Sequence, residues 1–173
     1  NTGDNLMPTD TITVFYGEGP VDFVEGPTYK VGKEPISASV RDFDNDGDLD
    51  IATADRSADS ATVLLNDGTG NFAKLGSYPV GDRPSFVDAL DFDGDGWLDL
   101  VVTNTESNDL FLLRNRAGRD FQVFNEIMIG SYPFMTTISD LNGDGRDDIS
   151  LTSVNTAKVV VQGCYYYPSD VRI

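Results

Sequence analysis

Apolar and polar positions along the chain fall into short runs with a period near two, each closed by Gly, Asn, Asp or Pro. Residues 36–41 (Ile-Ser-Ala-Ser-Val-Arg) alternate. Residues 49–54 (Leu-Asp-Ile-Ala-Thr-Ala) and 61–66 (Ala-Thr-Val-Leu-Leu-Asn) follow, and 71–79 form a fourth run around Phe72 and Tyr78. β-Branched and aromatic residues between such punctuation predict short antiparallel strands. No segment sustains a 3.6-residue apolar period, so almost no helix is expected.

The runs repeat. Asp42-Phe-Asp-Asn-Asp-Gly-Asp-Leu-Asp50 returns as Asp91-Phe-Asp-Gly-Asp-Gly-Trp-Leu-Asp99 and as Asp140-Leu-Asn-Gly-Asp-Gly-Arg-Asp-Asp148, each time after 49 residues. Gly32, Gly81 and Gly130 keep that step, as do Pro35, Pro84 and Pro133. So do Val14, Val63, Leu112 and Val161, and Phe23, Phe72 and Phe121. Four strands per unit at this period indicate an all-β fold of β-propeller blades, because one four-stranded sheet cannot bury both of its faces and stacked blades can. Residues 10–30 are then the outer half of one blade. Residues 36–79 and 85–128 are complete blades, and 134–173 is a further blade whose last strand is uncertain, with Asp170 where an aromatic is expected. That makes about 3.5 blades, and closed rings typically have 4–8. The chain is therefore expected to be part of a larger, seven-bladed propeller or to be completed by another chain.

The repeated loops follow Asp-x-(Asp/Asn)-x-Asp-Gly-x-x-Asp. In a tight turn the side chains at positions 1, 3 and 5 point to one centre, and Gly at position 6 permits the reversal. A backbone carbonyl at position 7 (Asp48, Trp97 or Arg146) and the Asp at position 9 can complete a shell. Oxygen ligands at this density suit Ca²⁺, which takes 6–8 of them. Packing so many carboxylates into one turn is costly unless a cation neutralises them. An EF-hand is excluded, since position 12 is Thr53, Val102 or Leu151 instead of a bidentate Glu and strand-like runs flank the loops.

The loops, the blade period and the Gly-x-x-Pro segments resemble the FG-GAP/VCBS repeat family, over about residues 10–162. This calcium-loop propeller repeat also occurs in integrin α-subunit heads, fungal lectins and bacterial surface proteins. The resemblance implies that the loop joining the first two strands of each blade binds Ca²⁺. One ion would sit on Asp42, Asp44, Asp46 and Asp50, and a second on Asp91, Asp93, Asp95 and Asp99. A third would sit on Asp140, Asn142, Asp144 and Asp148, with the weakest affinity because Asn142 removes a charge. The family also implies structural ions and an extracellular, cell-surface or periplasmic setting.

Composition narrows the function classes. Acidic residues number 29 against 12 basic ones, for a net charge of −17. That argues against nucleic acid and against anionic membrane surfaces. Histidine is absent, which removes His-dependent nucleophile systems and the usual zinc sites. The lone Cys164 cannot form an internal disulfide. No apolar run approaches the ~20 residues of a membrane-spanning helix. The chain begins at Asn1 with no signal peptide, so it reads as a processed product or a fragment.

With the dense carboxylates assigned to calcium, no spare Asp or Glu pair stands out as an acid/base couple, and the chain is read as non-catalytic. The expected role is binding or adhesion to a protein or glycan. The alternative is an assembly subunit that docks on another chain, or on copies of itself, through open blade edges; propeller-associated lyase or hydrolase chemistry ranks last. Trp97, alone of its kind, is expected to pack against a neighbouring blade rather than contact a ligand. The cluster Tyr165-Tyr166-Tyr167 reads equally as an interface or as a final strand, and Tyr132 and Phe134 read as packing between blades. Lys33-Glu34, Asp82-Arg83 and Ser131-Tyr132 vary at equivalent positions on one expected rim, where repeat proteins usually host binding.

Overall fold

The computed structural model describes residues 9–130 and 132–153, together with the backbone of 159–163. Thirteen strands are described and, among the described residues, no helix. Thr11–Gly17 (β1) and Phe23–Lys30 (β2) form a hairpin. Pro35–Arg41 (β3), Asp50–Asp55 (β4), Ser60–Asn66 (β5) and Phe72–Pro79 (β6) form a four-stranded antiparallel sheet. Pro84–Leu90 (β7), Asp99–Asn104 (β8), Asp109–Asn115 (β9) and Phe121–Met128 (β10) form the next one. Pro133–Ser139 (β11), Asp148–Ser153 (β12) and Val159–Gly163 (β13) form the last. These are the blades that the 49-residue period demands, each a simple up-and-down meander. The expected fourth strand of the last sheet lies outside the described residues, as do Ser131, Cys164 and Tyr165, Tyr166 and Tyr167.

The first strands β3, β7 and β11 lie side by side and the fourth strands diverge, so the sheets fan from an inner edge as an open arc. The inner strands also exchange hydrogen bonds one repeat apart: Ser39 Oγ donates to Asp88 Oδ1 at 3.4 Å and Ser85 Oγ to the Phe134 carbonyl at 2.8 Å. Three apolar layers fill the gaps between consecutive sheets. Val31, Ile51 and Leu64 meet Ile12, Val14 and Tyr29 of the hairpin. Ala52, Ala54 and Val63 meet Val87, Leu100, Val102 and Phe121. Leu90, Val101 and Leu112 meet Ile149 and Leu151. In β8, Leu100 and Val102 face the preceding sheet and Val101 the following one, so the strand is buried on both faces and reads as a continuous apolar run.

The aromatic that opens each fourth strand shows what this stacking does. Phe121 is 3% exposed, edge-to-face with Phe43 and Tyr78 of the preceding sheet. Phe72 meets Tyr29 of the hairpin in the same way. Phe23 holds the same repeat position yet is 69% exposed, because among the described residues no sheet precedes β1 and β2.

The Gly-x-x-Pro segments are pinned to the β-hairpins on either side of them. Arg56 N donates to the Glu34 carbonyl and Thr105 N to the Arg83 carbonyl, at 2.9 and 3.1 Å. Arg83 N donates to Asp59 Oδ1 at 2.9 Å and Tyr132 N to Asn108 Oδ1 at 2.7 Å. Glu34, Arg83 and Tyr132 all hold left-handed φ values of 54–59°. Tyr132 and Phe134 are half exposed (44% and 48%), because no described sheet follows to cover them; the packing between blades that the sequence suggested is not formed among the described residues.

The same end of the first blade holds a buried carboxylate. Asp55 is fully buried and accepts from Thr53 Oγ1 at 2.8 Å, Thr62 Oγ1 at 2.5 Å and Gly32 N at 3.0 Å. Burial raises its pKa above the usual 3.8, against the pull of those donors. A group of this kind contributes most to stability below its unfolded pKa, and the contribution falls as pH rises through the folded value. In the next blade Asn104 stands at this position and the carboxylate moves to Asp109, 2.7 Å from Asn104 Nδ2. We expect Asp55→Asn to fold, and to gain stability over the unmodified protein as pH rises from about 4 to 7. Urea midpoints of both proteins across that range check this. Parallel curves would mean that Asp55 does not titrate above its ordinary range.

Candidate metal centre

Each acidic loop leaves the first strand of a sheet and ends at the second, and all three loops fold alike. The position-1 carboxylate accepts from the position-6 amide: Gly47 N to Asp42, Gly96 N to Asp91 and Gly145 N to Asp140, at 2.9–3.0 Å. Position 3 accepts from the position-5 amide through Asp44, Asp93 and Asn142. Position 5 accepts from position 7, with Asp48, Trp97 and Arg146 donating to Asp46, Asp95 and Asp144. The position-6 glycines hold φ values of 84–98° with open space around them, so backbone conformation rather than crowding calls for Gly there.

Position 9 lies beneath the loop. Asp50 and Asp99 are fully buried and Asp148 nearly so. Asp50 Oδ2 accepts from Phe43 N and Oδ1 from Asn66 N, both at 2.8 Å. Asp99 repeats this with Phe92 N at 3.2 Å and Asn115 N at 2.7 Å. Asp148 accepts from Leu141 N at 2.9 Å.

Two triads converge. One oxygen each from Asp42, Asp44 and Asp50 lie within 4.8 Å of one another, and the same holds for Asp91, Asp93 and Asp99. Asp46 and Asp95 stand outside these triads. In the third loop Asn142 leaves two carboxylates at the triad positions, Asp140 and Asp148, and Asp144 remains exposed. Asp42 Oδ1 and Asp93 Oδ2 are buried without a hydrogen bond. Arg114 Nη2 does approach Asp93 Oδ2 to 2.6 Å, out of hydrogen-bond alignment, and lies 3.3 Å from Asp95 Oδ2. Half exposed, this cation offsets the second triad only in part.

Burial, with charge crowding added to it, raises carboxylates of the first two loops. Burial, then the Asp46 and Asp42 charges, raises the Asp44 pKa. Burial and Asp95 raise Asp93 against the pull of Arg114. Burial pushes Asp99 up to about 7, opposed by the Asn115 amide and reinforced by Asp93. Burial likewise raises Asp50. In the third loop Asp140 is lowered, chiefly by the Gly145 amide. The first two loops thus hold carboxylates whose charges are uncompensated, as a cation site requires, and the donor set of oxygens alone fits a hard divalent ion.

The loops also lean on the sheet that follows. Phe43, at position 2 of the first loop, is fully buried beneath Phe121 of the next sheet; Phe92 is half buried against the layer that its sheet shares with Ile149 and Leu151 of the next, and beside Phe124 of its own sheet; Leu141 is 54% exposed. The turn between β9 and β10 touches both of the first two loops. Asn115, 2% exposed, donates through Nδ2 to the Leu98 carbonyl at 2.9 Å and to the Phe43 carbonyl of the preceding blade at 2.8 Å. Its Oδ1 accepts from Gly118 N at 2.8 Å. No sequence motif marks this residue beyond the 49-residue step that Asn66 and Asn115 keep. Trp97 lies against this turn of its own blade: a Cβ on Gly118 would stand 3.1 Å from its Cζ3. A cleft of about 510 Å³, lined by Asp91, Asp93, Asp140, Arg146 and Asp147 among others, separates the second and third loops.

Two comparisons bear on this arrangement. The model of the FG-GAP-like repeat matches twice, at residues 42–102 and 91–151. Eleven chains of solved structures match. One is the crystal structure of a protein from Lactobacillus plantarum, 13% identical with a TM-score of 0.58. The alignment covers 81% of this chain but 40% of that one, and at such identity the likeness shows the fold alone. No curated protein matches.

The site makes Gly118 a sensitive position. It holds φ = 70°, and a Cβ there would lie 2.7 Å from the Asp44 Cα. Gly118→Ala is expected to cost about 1–3 kcal/mol of stability, from backbone strain and displacement of the first loop. A lowered urea midpoint checks this; an unchanged one would mean that the turn does not bear on Asp44.

Proposed function

Because the chain belongs to the FG-GAP-like repeat family, we propose that it is a non-catalytic module of β-propeller blades in which Ca²⁺ binds the acidic loops and orders them. The observation that carries this is the pair of converging, partly orphaned triads, Asp42/Asp44/Asp50 and Asp91/Asp93/Asp99. Asp46 and Asp95, and the carbonyls of Asp48 and Trp97, would complete those shells. Asp140, Asn142, Asp144 and Asp148, with the Arg146 carbonyl, would form a weaker third site. The role of the ion is structural: it offsets the burial, and the carboxylate repulsion that adds to it, which raise Asp44, Asp93 and Asp99, and it ties folding to ion supply. Loops of this kind fill at roughly 0.1–1 mM Ca²⁺, which favours an extracellular, cell-surface or periplasmic setting. Among the described residues no helix is long and apolar enough to cross a membrane.

Titration calorimetry with Ca²⁺ tests the reading. Two ions are expected in a tighter class and a third in a weaker one, with Mg²⁺ binding less well. Asn142→Asp should tighten the third site by about tenfold, since added ligand charge raises affinity. The reading fails if millimolar Ca²⁺ produces neither heat nor a rise in unfolding temperature.

A protein or glycan ligand is the proposed target, held on the surface that the blades build rather than in the loops' ion shells. Both ends of the arc favour further blades from a longer chain or from another chain. Phe15 and Phe23 are 57% and 69% exposed at one end, and Phe134, Met135 and Leu141 are 48%, 45% and 54% exposed at the other. Such apolar faces are normally covered. Light scattering in millimolar Ca²⁺ is expected to show a defined particle larger than the 18.8 kDa chain. A stable monomer would assign the covering to a longer parent chain.

A further inference from the structure

The first two loops are joined by one buried side chain, Asn115. Asp99, the buried carboxylate of the second loop, accepts from Asn115 N. The Asn115 Nδ2 amide donates to the Phe43 carbonyl. Phe43 N in turn donates to Asp50, the buried carboxylate of the first loop. An unbroken hydrogen-bonded path therefore runs from one triad to the other through a residue that is 2% exposed. The same Nδ2 also donates to the Leu98 carbonyl, so Asn115 clamps both loops at once. Asn45 Nδ2 adds an exposed link, to the Gly96 carbonyl at 3.2 Å.

The repeat supplies an internal contrast. Asn66 occupies the equivalent position one blade earlier. Its N–H donates to Asp50 and its Nδ2 to the Leu49 carbonyl, both bonds to the loop of its own blade. Asn66 thus makes the local half of the clamp, and Asn115 makes that half together with the bridge.

We propose that Asn115 is a positioning residue that couples the two acidic loops, so that a cation held by one prepares the other for a second. This rests on the cation reading above. The physical basis is rigidity. A cation on the first triad fixes Asp50 and with it the Phe43 backbone, whose N–H Asp50 holds and whose carbonyl holds the Asn115 amide. Asn115 N–H in turn holds Asp99 in the orientation that the second triad needs. By thermodynamic linkage the effect is equal in the reverse direction.

Terbium is the probe, because Trp97 lies in the second loop and sensitises an ion bound there. Tb³⁺ affinity of the second loop is read with the first loop intact and with it disabled by Asp42→Asn and Asp44→Asn. Disabling the first loop is expected to weaken the second about five- to tenfold, within the usual range of coupling between sites. In an Asn115→Ala background the same disabling should change the affinity less than twofold. In an Asn66→Ala background the full effect should persist. A residue with a merely structural role would weaken both sites and leave their coupling unchanged. If Asn115→Ala fails to fold, Asn115→Asp keeps the acceptor for Gly118 N and loses both amide donors. Equal coupling with and without the Asn115 amide overturns the inference while the cation reading stands, as does a second loop indifferent to the first. No terbium signal from the unmodified protein overturns both.

Discussion

Each complete sheet in this chain is apolar on both faces, and everything else follows from the need to cover both. Val101 has nowhere to go but toward Ile149 and Leu151, and Leu100 nowhere but toward the preceding blade. Burial of this kind is worth about 25 cal/mol per Å², and it is available only when sheets stack face to face. Stacking sets the spacing of the inner strands, the hydrogen bonds one repeat apart and the seating of each loop under the next blade. The described arc shows the effect of withdrawing a neighbour: Phe121 is buried, and Phe23, at the same position in the repeat, is exposed.

The acidic loops depend on that packing and also oppose it. Their position-9 carboxylates are buried at the junction of two strands, where Asp50 and Asp99 order the loop by accepting two backbone amides each. Burial is what makes them costly, and it raises Asp99 to about 7. Loop geometry is thus built at the expense of uncompensated charge, and a hard cation is the natural remedy. The third loop has the same backbone pattern, one charge fewer at the triad and no described neighbour beyond it. Its position-1 carboxylate, Asp140, is lowered, chiefly by the Gly145 amide.

Coupling between neighbouring loops follows from the same architecture. A turn that closes one blade must pass over the loop of the blade before it, because the sheets are in contact there. Asn115 is small enough to fit under that crossing and carries two donors and an acceptor, so it satisfies carbonyls of both blades where an apolar residue would leave them unpaired. Gly118, beside it, leaves room for the Asp44 backbone.

Strand positions, the four-strand unit, the stacking of units and the three loops were all legible in the sequence, because each rests on local alternation, on punctuation or on an exact 49-residue step. Observed strands begin or end within one residue of the runs read from the pattern, as with 36–41 against Pro35–Arg41. The spacing of the loop aspartates likewise marked which side chains could converge. What the sequence alone could not assign was burial that a neighbouring sheet confers. Phe43 and Leu141 hold the same loop position; Phe43 is fully buried under the next blade, and Leu141, with no described blade beyond it, is 54% exposed. Asn115 carries no motif, since its bridge joins residues 72 apart along the chain. Local chemistry is written in the order of residues; which face meets which, and therefore which groups lose water, is decided only when the sheets pack.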